Sequence, residues 1–240
     1  MGWYKDRIQQ YEHYRFLQVV SDVKPLYPGF AFLILKLFIN AYKEGLRICI
    51  FETYRSQERQ LDLFNKEKTK LKKNGMHHFG VAADVVFRTE KNYPTWEGEW
   101  SKLGQIGRDL GLYWGGDWES FRDCPHFQLI PALWEEQIKI VNDEYPQYDN
   151  KIDNYLEKIT SYYKRVKDNN YSEDSFRELI NFYSDLFTVP KIEKIETIEI
   201  PEKVIQINKR KSNNGWKILL NQILNTILSK LNKSSKKSKN

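Results

Sequence analysis

Two adjacent histidines and a nearby aspartate are the residues of this 240-residue chain best suited to chemistry. They lie in the stretch GMHHFGVAADVVF, which contains His77, His78 and Asp84. A catalytic zinc site usually takes three protein ligands from His, Asp or Glu and leaves one position open for water. His77 and Asp84 flank a loop-to-strand junction, close enough to converge on one ion. Gly80 between them lets the backbone turn tightly.

A second motif, RDCPHFQL, offers a third ligand with an acid beside it. His126 opens a predicted strand and completes the ligand set if that strand pairs near Asp84. Asp123 stands three residues earlier, and Pro125 fixes the approach of the chain to the strand. An acid held beside a metal-bound water suits a general base, because the metal lowers the pKa of the water towards neutrality. Cys124 is interpreted as a spacer, with a thiol that inhibits the metal as the alternative.

Two further motifs supply a cation and aromatic side chains. In TYRSQERQLDLF, Arg55 ends another predicted strand, and its planar guanidinium suits a substrate carboxylate or the oxyanion of a tetrahedral intermediate. Ser56 is a predicted helix N-cap, and Glu52 is interpreted as structural. In YWGGDW, Trp114 and Trp118 either line a cleft or pack in the core.

The elements around these motifs predict an α+β domain, a small antiparallel sheet flanked by helices. Asp84 lies on a predicted strand, on the same face as Ala82 and Val86. The small side chain of Ala82 therefore leaves room beside a ligand. Apolar periodicity and helix-ending glycines predict helices over 28–45, 56–68 and 99–111, strands over 46–54, 81–87 and 126–130, and a short strand and turn over 112–118.

From about residue 136 the sequence changes in texture. We predict a first domain over 1–135, a helical pair over 136–188, an extended linker over 189–215, and a basic amphipathic helix with its tail over 216–240. The amphipathic helix favours contact with an anionic membrane or wall polymer. Packing on the helical pair and oligomerisation are the alternatives, and the sequence leaves the oligomeric state open.

The net charge of +6 belongs to the end of the chain. Residues 208–240 contain nine Lys or Arg and no acid; removing those nine from the 38 basic residues leaves 29, against 32 acidic residues. No basic face on the folded part points to nucleic acid. The N-terminus lacks the apolar core of a signal peptide, so we expect synthesis in the cytoplasm. Two cysteines, Cys49 and Cys124, do not make a disulfide framework.

The order of these motifs resembles the zinc D-alanyl-D-alanine carboxypeptidase and L-alanyl-D-glutamate peptidase family, most closely its branch of phage endolysins and bacterial cell-wall endopeptidases. The resemblance covers about residues 20–131. The family patterns Tyr-Arg-Ser, Ser-x-His-x-x-Gly-x-Ala-x-Asp and Asp-x-x-His fall on 54–56, 75–84 and 123–126. Gly75 departs from the pattern, because it lacks the hydroxyl of the family's serine.

The resemblance implies a zinc-dependent peptidoglycan peptidase. It would hydrolyse the stem peptide at the L-alanyl-D-glutamate bond with metal-activated water. The implied zinc ligands are His77, Asp84 and His126, with Asp123 as general base and Arg55 as the contact to substrate or transition state. His78 falls outside the ligand pattern. We assign further contacts in the substrate cleft to Ser56, His78 and Trp114.

Two other functions remain open at this point. One is a D-alanyl-D-alanine carboxypeptidase, which usually acts outside the membrane and so fits poorly with a missing export signal. The other is a non-catalytic, zinc-stabilised module that binds the cell wall; it would not need Asp123 or Arg55. A phage or prophage lysin that reaches the wall after release through a holin agrees best with the sequence.

Overall fold

A five-stranded antiparallel sheet organises the chain. The computed structural model describes residues 2–130, 139–142 and 153–168, together with 172–175, 177, 178 and 181. The strands are β1 (Ile48–Glu52), β2 (Ala82–Arg88), β3 (Pro94–Thr95), β4 (Tyr113–Trp114) and β5 (His126–Gln128). Their order is β1-β2-β5-β4, with the short β3 also paired to β2.

Helices and short turns surround this sheet, which confirms the predicted α+β class. The helices are α1 (Pro28–Lys43), α2 (Gln57–Asn65), α3 (Trp100–Asp109) and α4 (Asp153–Asp168). A π-helical turn (Tyr4–Ile8) and two 3-10 turns (Met76–Phe79 and Gly115–Asp117) complete the described elements.

Helix α1 forms the centre of the apolar core. Pro28 occupies its first turn, where a missing N–H costs nothing, and the chain leaves it through Gly45 at φ +75°. Twelve of its sixteen residues are buried, because it packs against β1, α3 and α4. Its polar residues Lys36, Asn40 and Lys43 are spaced i, i+4, i+7 along one face, and most of the apolar remainder is buried against these neighbours.

Strand β2 positions the polar residues of the site. It is buried on both faces, and its antiparallel partners bring distant residues beside Asp84. In the register, Asp84 faces His126 of β5 on one side and Glu52 of β1 on the other. Three motifs that are far apart in the sequence therefore meet at one point of the sheet.

The part of the chain after β5 is described only in places. Helix α4 lies within the predicted helical pair and packs on α1, where the Phe38 and Tyr163 rings meet edge to face at 6.0 Å. The predicted linker over 189–215 and the basic amphipathic helix over 216–240 lie outside the described residues. Among the helices that the structure describes, none combines the length and apolar character needed to cross a bilayer.

Candidate metal centre

Three predicted ligands converge at the junction of β2 and β5. His77 Nε2 lies 3.1 Å from Asp84 Oδ1 and 3.2 Å from His126 Nδ1, and the latter two atoms are 3.1 Å apart. Both imidazoles are buried. The three side chains thus offer one ligand atom each to a common centre.

The backbone before β2 turns sharply to place His77 there. Gly80 ends the 3-10 turn at φ +69°, and a Cβ on it would lie 2.1 Å from the carbonyl oxygen of Pro25. Only glycine fits this position without displacing the chain, as the sequence predicts. The Gly80 carbonyl in turn accepts a hydrogen bond from Tyr27 N at 2.8 Å, which fixes the turn against the start of α1.

Neighbouring acceptors determine which nitrogen each imidazole presents. His77 Nδ1 donates to the carbonyl oxygen of Thr53 at 3.4 Å, so Nε2 carries the lone pair whenever the ring is neutral, as metal binding requires. The Gln128 amide nitrogen donates to the Ile130 carbonyl at 2.6 Å, which turns its Oε1 towards His126. That oxygen accepts from His126 Nε2 at 2.8 Å and leaves Nδ1 for the centre. Such partners orient the histidines of metal sites.

The geometry fits a zinc ion. Zinc–nitrogen and zinc–oxygen bonds of about 2.0–2.2 Å in a tetrahedron separate the ligand atoms by about 3.3 Å. The observed separations of 3.1 to 3.2 Å are close to this value. Two neutral imidazoles and one carboxylate are also the donor types that zinc takes in catalytic sites. The same set suits other first-row metals, so the donors alone do not select zinc.

A buried charge network supports the carboxylate ligand. Asp84 uses Oδ1 towards the histidines, while its Oδ2 accepts from Arg55 Nη2 at 3.1 Å. Arg55 also donates through Nε and Nη2 to Glu52, which is fully buried. Arg59 donates to the other oxygen of Glu52 at 2.6 Å. Glu52 is therefore structural, as predicted: it holds Arg55 against Asp84.

This network keeps Asp84 ionised. Burial by itself raises the pKa of Asp84, but in the metal-free site the charge of His77, hydrogen bonds from both histidines and the charge of Arg55 hold it well below its usual range. Burial likewise lowers the pKa of His126, but its hydrogen bond to Asp84 and that carboxylate's charge outweigh burial and raise it. An ionised carboxylate between two histidines is the state that a cation requires.

A cleft of about 260 Å³ opens from this centre, and Asp123 lines it together with Arg55, His77 and His126. Burial, and after it the charge of Asp84, raise the pKa of Asp123, which makes it a stronger base than an exposed aspartate. The turn that carries it packs tightly. A Cβ on Gly115 would lie 2.4 Å from the Asp123 carbonyl oxygen, so the missing side chain of Gly115 allows this approach.

Three residues that we predict to contact substrate lie elsewhere. Ser56 is a buried N-cap of α2: its Oγ accepts from Arg59 N at 3.0 Å and donates to the Phe16 carbonyl at 2.6 Å. His78 is buried behind His77, within 3.1 Å of the Tyr4 hydroxyl and 3.4 Å of the Tyr54 hydroxyl. Local hydrogen bonding uses both side chains away from the cleft, and their contact with substrate stays a prediction.

Trp114 is the third of these residues. Its indole packs directly on Gly104 of α3 and donates from Nε1 to the Cys124 carbonyl at 2.7 Å, so it belongs to the core. Trp118 lines the cleft instead, with its ring 5.0 Å from that of His126. The 3-10 turn between the two tryptophans rotates the second one out of the core.

Two glutamines support the site without any prediction from the sequence. Gln128 orients His126, as described above. Gln60 is buried and lines the cleft; its amide nitrogen donates to the Leu71 carbonyl at 2.6 Å and to Thr69 Oγ1 at 3.3 Å. Its Oε1 would lie 3.2 Å from a Cβ on Gly75, so this side chain fills the space beside the missing serine.

Comparisons with known proteins find similarity over the part of the chain that carries this site. Residues 69–129 match the family model described as D-alanyl-D-alanine carboxypeptidase. The predicted family resemblance is confirmed. The prediction that the chain is a metallopeptidase is confirmed with it.

Two relatives and one solved structure show how far the similarity extends. The peptidoglycan L-alanyl-D-glutamate endopeptidase CwlK of Bacillus subtilis (strain 168) is 28% identical over 134 residues, 48% of this chain and 78% of that protein. The L-alanyl-D-glutamate peptidase of Listeria phage A118 is 29% identical over 120 residues, 48% of this chain and 42% of that protein. The Serratia marcescens L-Ala D-Glu endopeptidase ChiX aligns with 48% of this chain and 91% of its own, at 21% identity and a TM-score of 0.38. Each of the two sequence matches covers 48% of this chain.

Proposed function

We propose that this chain is a zinc-dependent peptidoglycan peptidase that hydrolyses the L-alanyl-D-glutamate bond of the stem peptide. The observation that carries the proposal is the convergence of His77, Asp84 and His126 beside a cleft that Asp123 also lines. Both curated relatives are named for cleavage of this bond. The metal, the bond and the residue roles are all part of the proposal.

The residues of the cleft divide the chemistry between them. A zinc ion held by His77, Asp84 and His126 would act as a Lewis acid on the scissile carbonyl and lower the pKa of water. The Asp123 carboxylate accepts a proton from the attacking water and returns it to the leaving amine. Burial raises the pKa of Asp123 above that of an exposed aspartate, which favours uptake of the proton from water.

Arg55 acts mainly through Asp84 in this proposal. Its contacts with Glu52, Asp84 and, at 3.4 Å, Gln60 use four of the five N–H groups of a guanidinium. One N–H remains for the oxyanion that forms during attack. Arg55 therefore orients the metal-binding carboxylate and contributes at most one hydrogen bond to the transition state.

A D-alanyl-D-alanine carboxypeptidase is the second candidate, because the matching family model carries that description. The same ligands and base would serve it, and only the cleaved bond would differ. We also propose that the protein acts on the cell wall after release from the cytoplasm, in the manner of a phage or prophage lysin. Similarity to a phage peptidase supports this placement.

Digestion of purified peptidoglycan by the zinc-loaded protein tests the proposal, with mass spectrometry of the released fragments. We expect new amino termini on D-glutamate, and their loss after EDTA treatment. Asp123→Asn should lower the rate by about 10²–10⁴-fold, the usual contribution of general base catalysis. Asp117→Asn is the matched control, because Asp117 pairs with Arg108 and does not line the cleft.

Each outcome separates the candidates. Release of free D-alanine would assign the chain to the carboxypeptidases. Absence of cleavage by zinc-loaded protein on several wall types would contradict a catalytic role and favour a wall-binding module. Equal rates for the Asp123 and Asp117 variants would remove Asp123 from the mechanism.

A further inference from the structure

In the proposed reaction, the residue on the amine side of the cleaved bond is a glutamate, and its free carboxylate needs a positively charged partner in the cleft. A glutamate whose amino group lies in the cleaved bond has two carboxyl groups, and the peptide continues through only one of them. The other is negatively charged at neutral pH unless it is amidated. We propose that Lys70 binds this free carboxylate and makes the enzyme selective for glutamate over its amidated form; this inference rests on the proposed function.

Among the described residues that line the cleft, Lys70 is the cation that is available for this purpose. Among the described residues that line it, Arg55 and Lys70 are the only lysine or arginine side chains. Arg55 is already engaged by Glu52 and Asp84. Lys70 is exposed, and none of the described residues offers it a carboxylate.

Two contacts hold the Lys70 ammonium across the cleft. Its Nζ donates to the Ser120 carbonyl at 2.8 Å and lies 5.3 Å from the centre of the Phe121 ring. Ser120 and Phe121 line the cleft from the opposite segment of the chain. An ammonium has three N–H groups, and the Ser120 carbonyl takes one of them, so donors remain for an anion.

Hydrogen bonds from Gln60 fix the segment that carries Lys70. Buried Gln60 donates from its amide nitrogen to Leu71 O at 2.6 Å and to Thr69 Oγ1 at 3.3 Å, on either side of Lys70. Thr69 Oγ1 also accepts from Leu71 N at 3.2 Å. These bonds give the lysine a defined anchor, which a selective charge contact requires.

The test uses two synthetic stem peptides that differ only at this group, one with the free carboxylate on the D-glutamyl residue and one with a carboxamide. We measure kcat/KM for both with wild type, Lys70→Met and Lys70→Arg, all loaded with zinc. Wild type should prefer the acid by about fivefold, as expected for an ion pair that stays near water. Lys70→Met should bring the ratio close to one, and Lys70→Arg should keep it.

Lys72→Met is the matched control, because Lys72 is exposed two residues away and does not line the cleft; it should keep the wild-type ratio. An equal loss on both peptides in Lys70→Met would overturn the proposal, since it would show that Lys70 only joins the two segments. Cleavage of neither peptide by wild type would refute the proposed function itself, and this result is distinct from an unchanged ratio.

Discussion

The buried charge network and the cleft wall meet at the same site but are built differently. In the network, Glu52, Arg55 and Asp84 lie on or beside paired strands and bond to one another away from water. In the wall, Lys70 and Phe121 are exposed and belong to connecting segments. The rigid part fixes the reactive groups, and the exposed part is free to determine which substrate fits.

The largest effect should come from breaking the network at Glu52. Glu52→Gln leaves Arg55 and Arg59 without their shared carboxylate, and loss of one partner from a buried pair costs about 3 kcal/mol of unfolding free energy. Urea unfolding followed by circular dichroism measures this loss. The exposed pair of Arg15 and Glu58 is the control, and Glu58→Gln should cost less than about 0.5 kcal/mol.

A comparable effect should appear at acid pH through His78. Burial lowers the pKa of His78 from 6.5 to about 4. Between pH 6.5 and pH 4, His78 is protonated in the unfolded chain but neutral in the folded chain. The free energy of unfolding therefore decreases as the pH falls from 6.5 to 4. The full difference corresponds to about 3 kcal/mol. In metal-free protein, His78→Gln should reduce this slope; a slope equal to that of wild type would contradict the assignment.

Removing the support of His126 should have a smaller effect, on the metal and not on the fold. Gln128→Ala frees the ring to rotate or change tautomer, and loss of such a partner typically lowers metal affinity by about 10–100-fold. Competition with a chromogenic chelator measures the dissociation constant for zinc. Gln105→Ala, on the exposed side of α3, should leave that constant unchanged.

The smallest effect on stability should come from the cleft wall. Lys70→Met removes one hydrogen bond and one cation–ring contact at the surface, so the free energy of unfolding should change by less than about 0.5 kcal/mol. Its effect on substrate choice is expected nevertheless. Thermal unfolding of Lys70→Met and Glu52→Gln, measured side by side, compares the two regions. A loss of stability in Lys70→Met as large as that in Glu52→Gln would show that the cleft wall is part of the rigid structure.

Local patterns allowed much of this site to be predicted. The ligand positions depend on short spacings, the need for Gly80 is a backbone property, and the Ser56 cap follows from the start of α2. The strand period of two could also have found Gln128, which shares a face with His126. Each of these signals lies within a few residues of the position that it explains.

Other features depend on contacts between distant segments, and the sequence does not show them. Which of Trp114 and Trp118 faces the cleft depends on how α3 packs on the sheet. The burial of His78 depends on two tyrosines from distant segments: Tyr4 near the N-terminus, and Tyr54 just after β1. The contact of Arg55 with Asp84 depends on the pairing of β1 with β2, which no local pattern determines.

The pairing of β2 with β5 also has a consequence for the order of folding. His77 and Asp84 are seven residues apart, but His126 joins them from 42 residues beyond Asp84. An unfolded chain therefore offers a metal ion only part of the set, and the complete set forms when these strands pair. Bound metal should then mainly lower the rate constant of unfolding and change the rate constant of folding little.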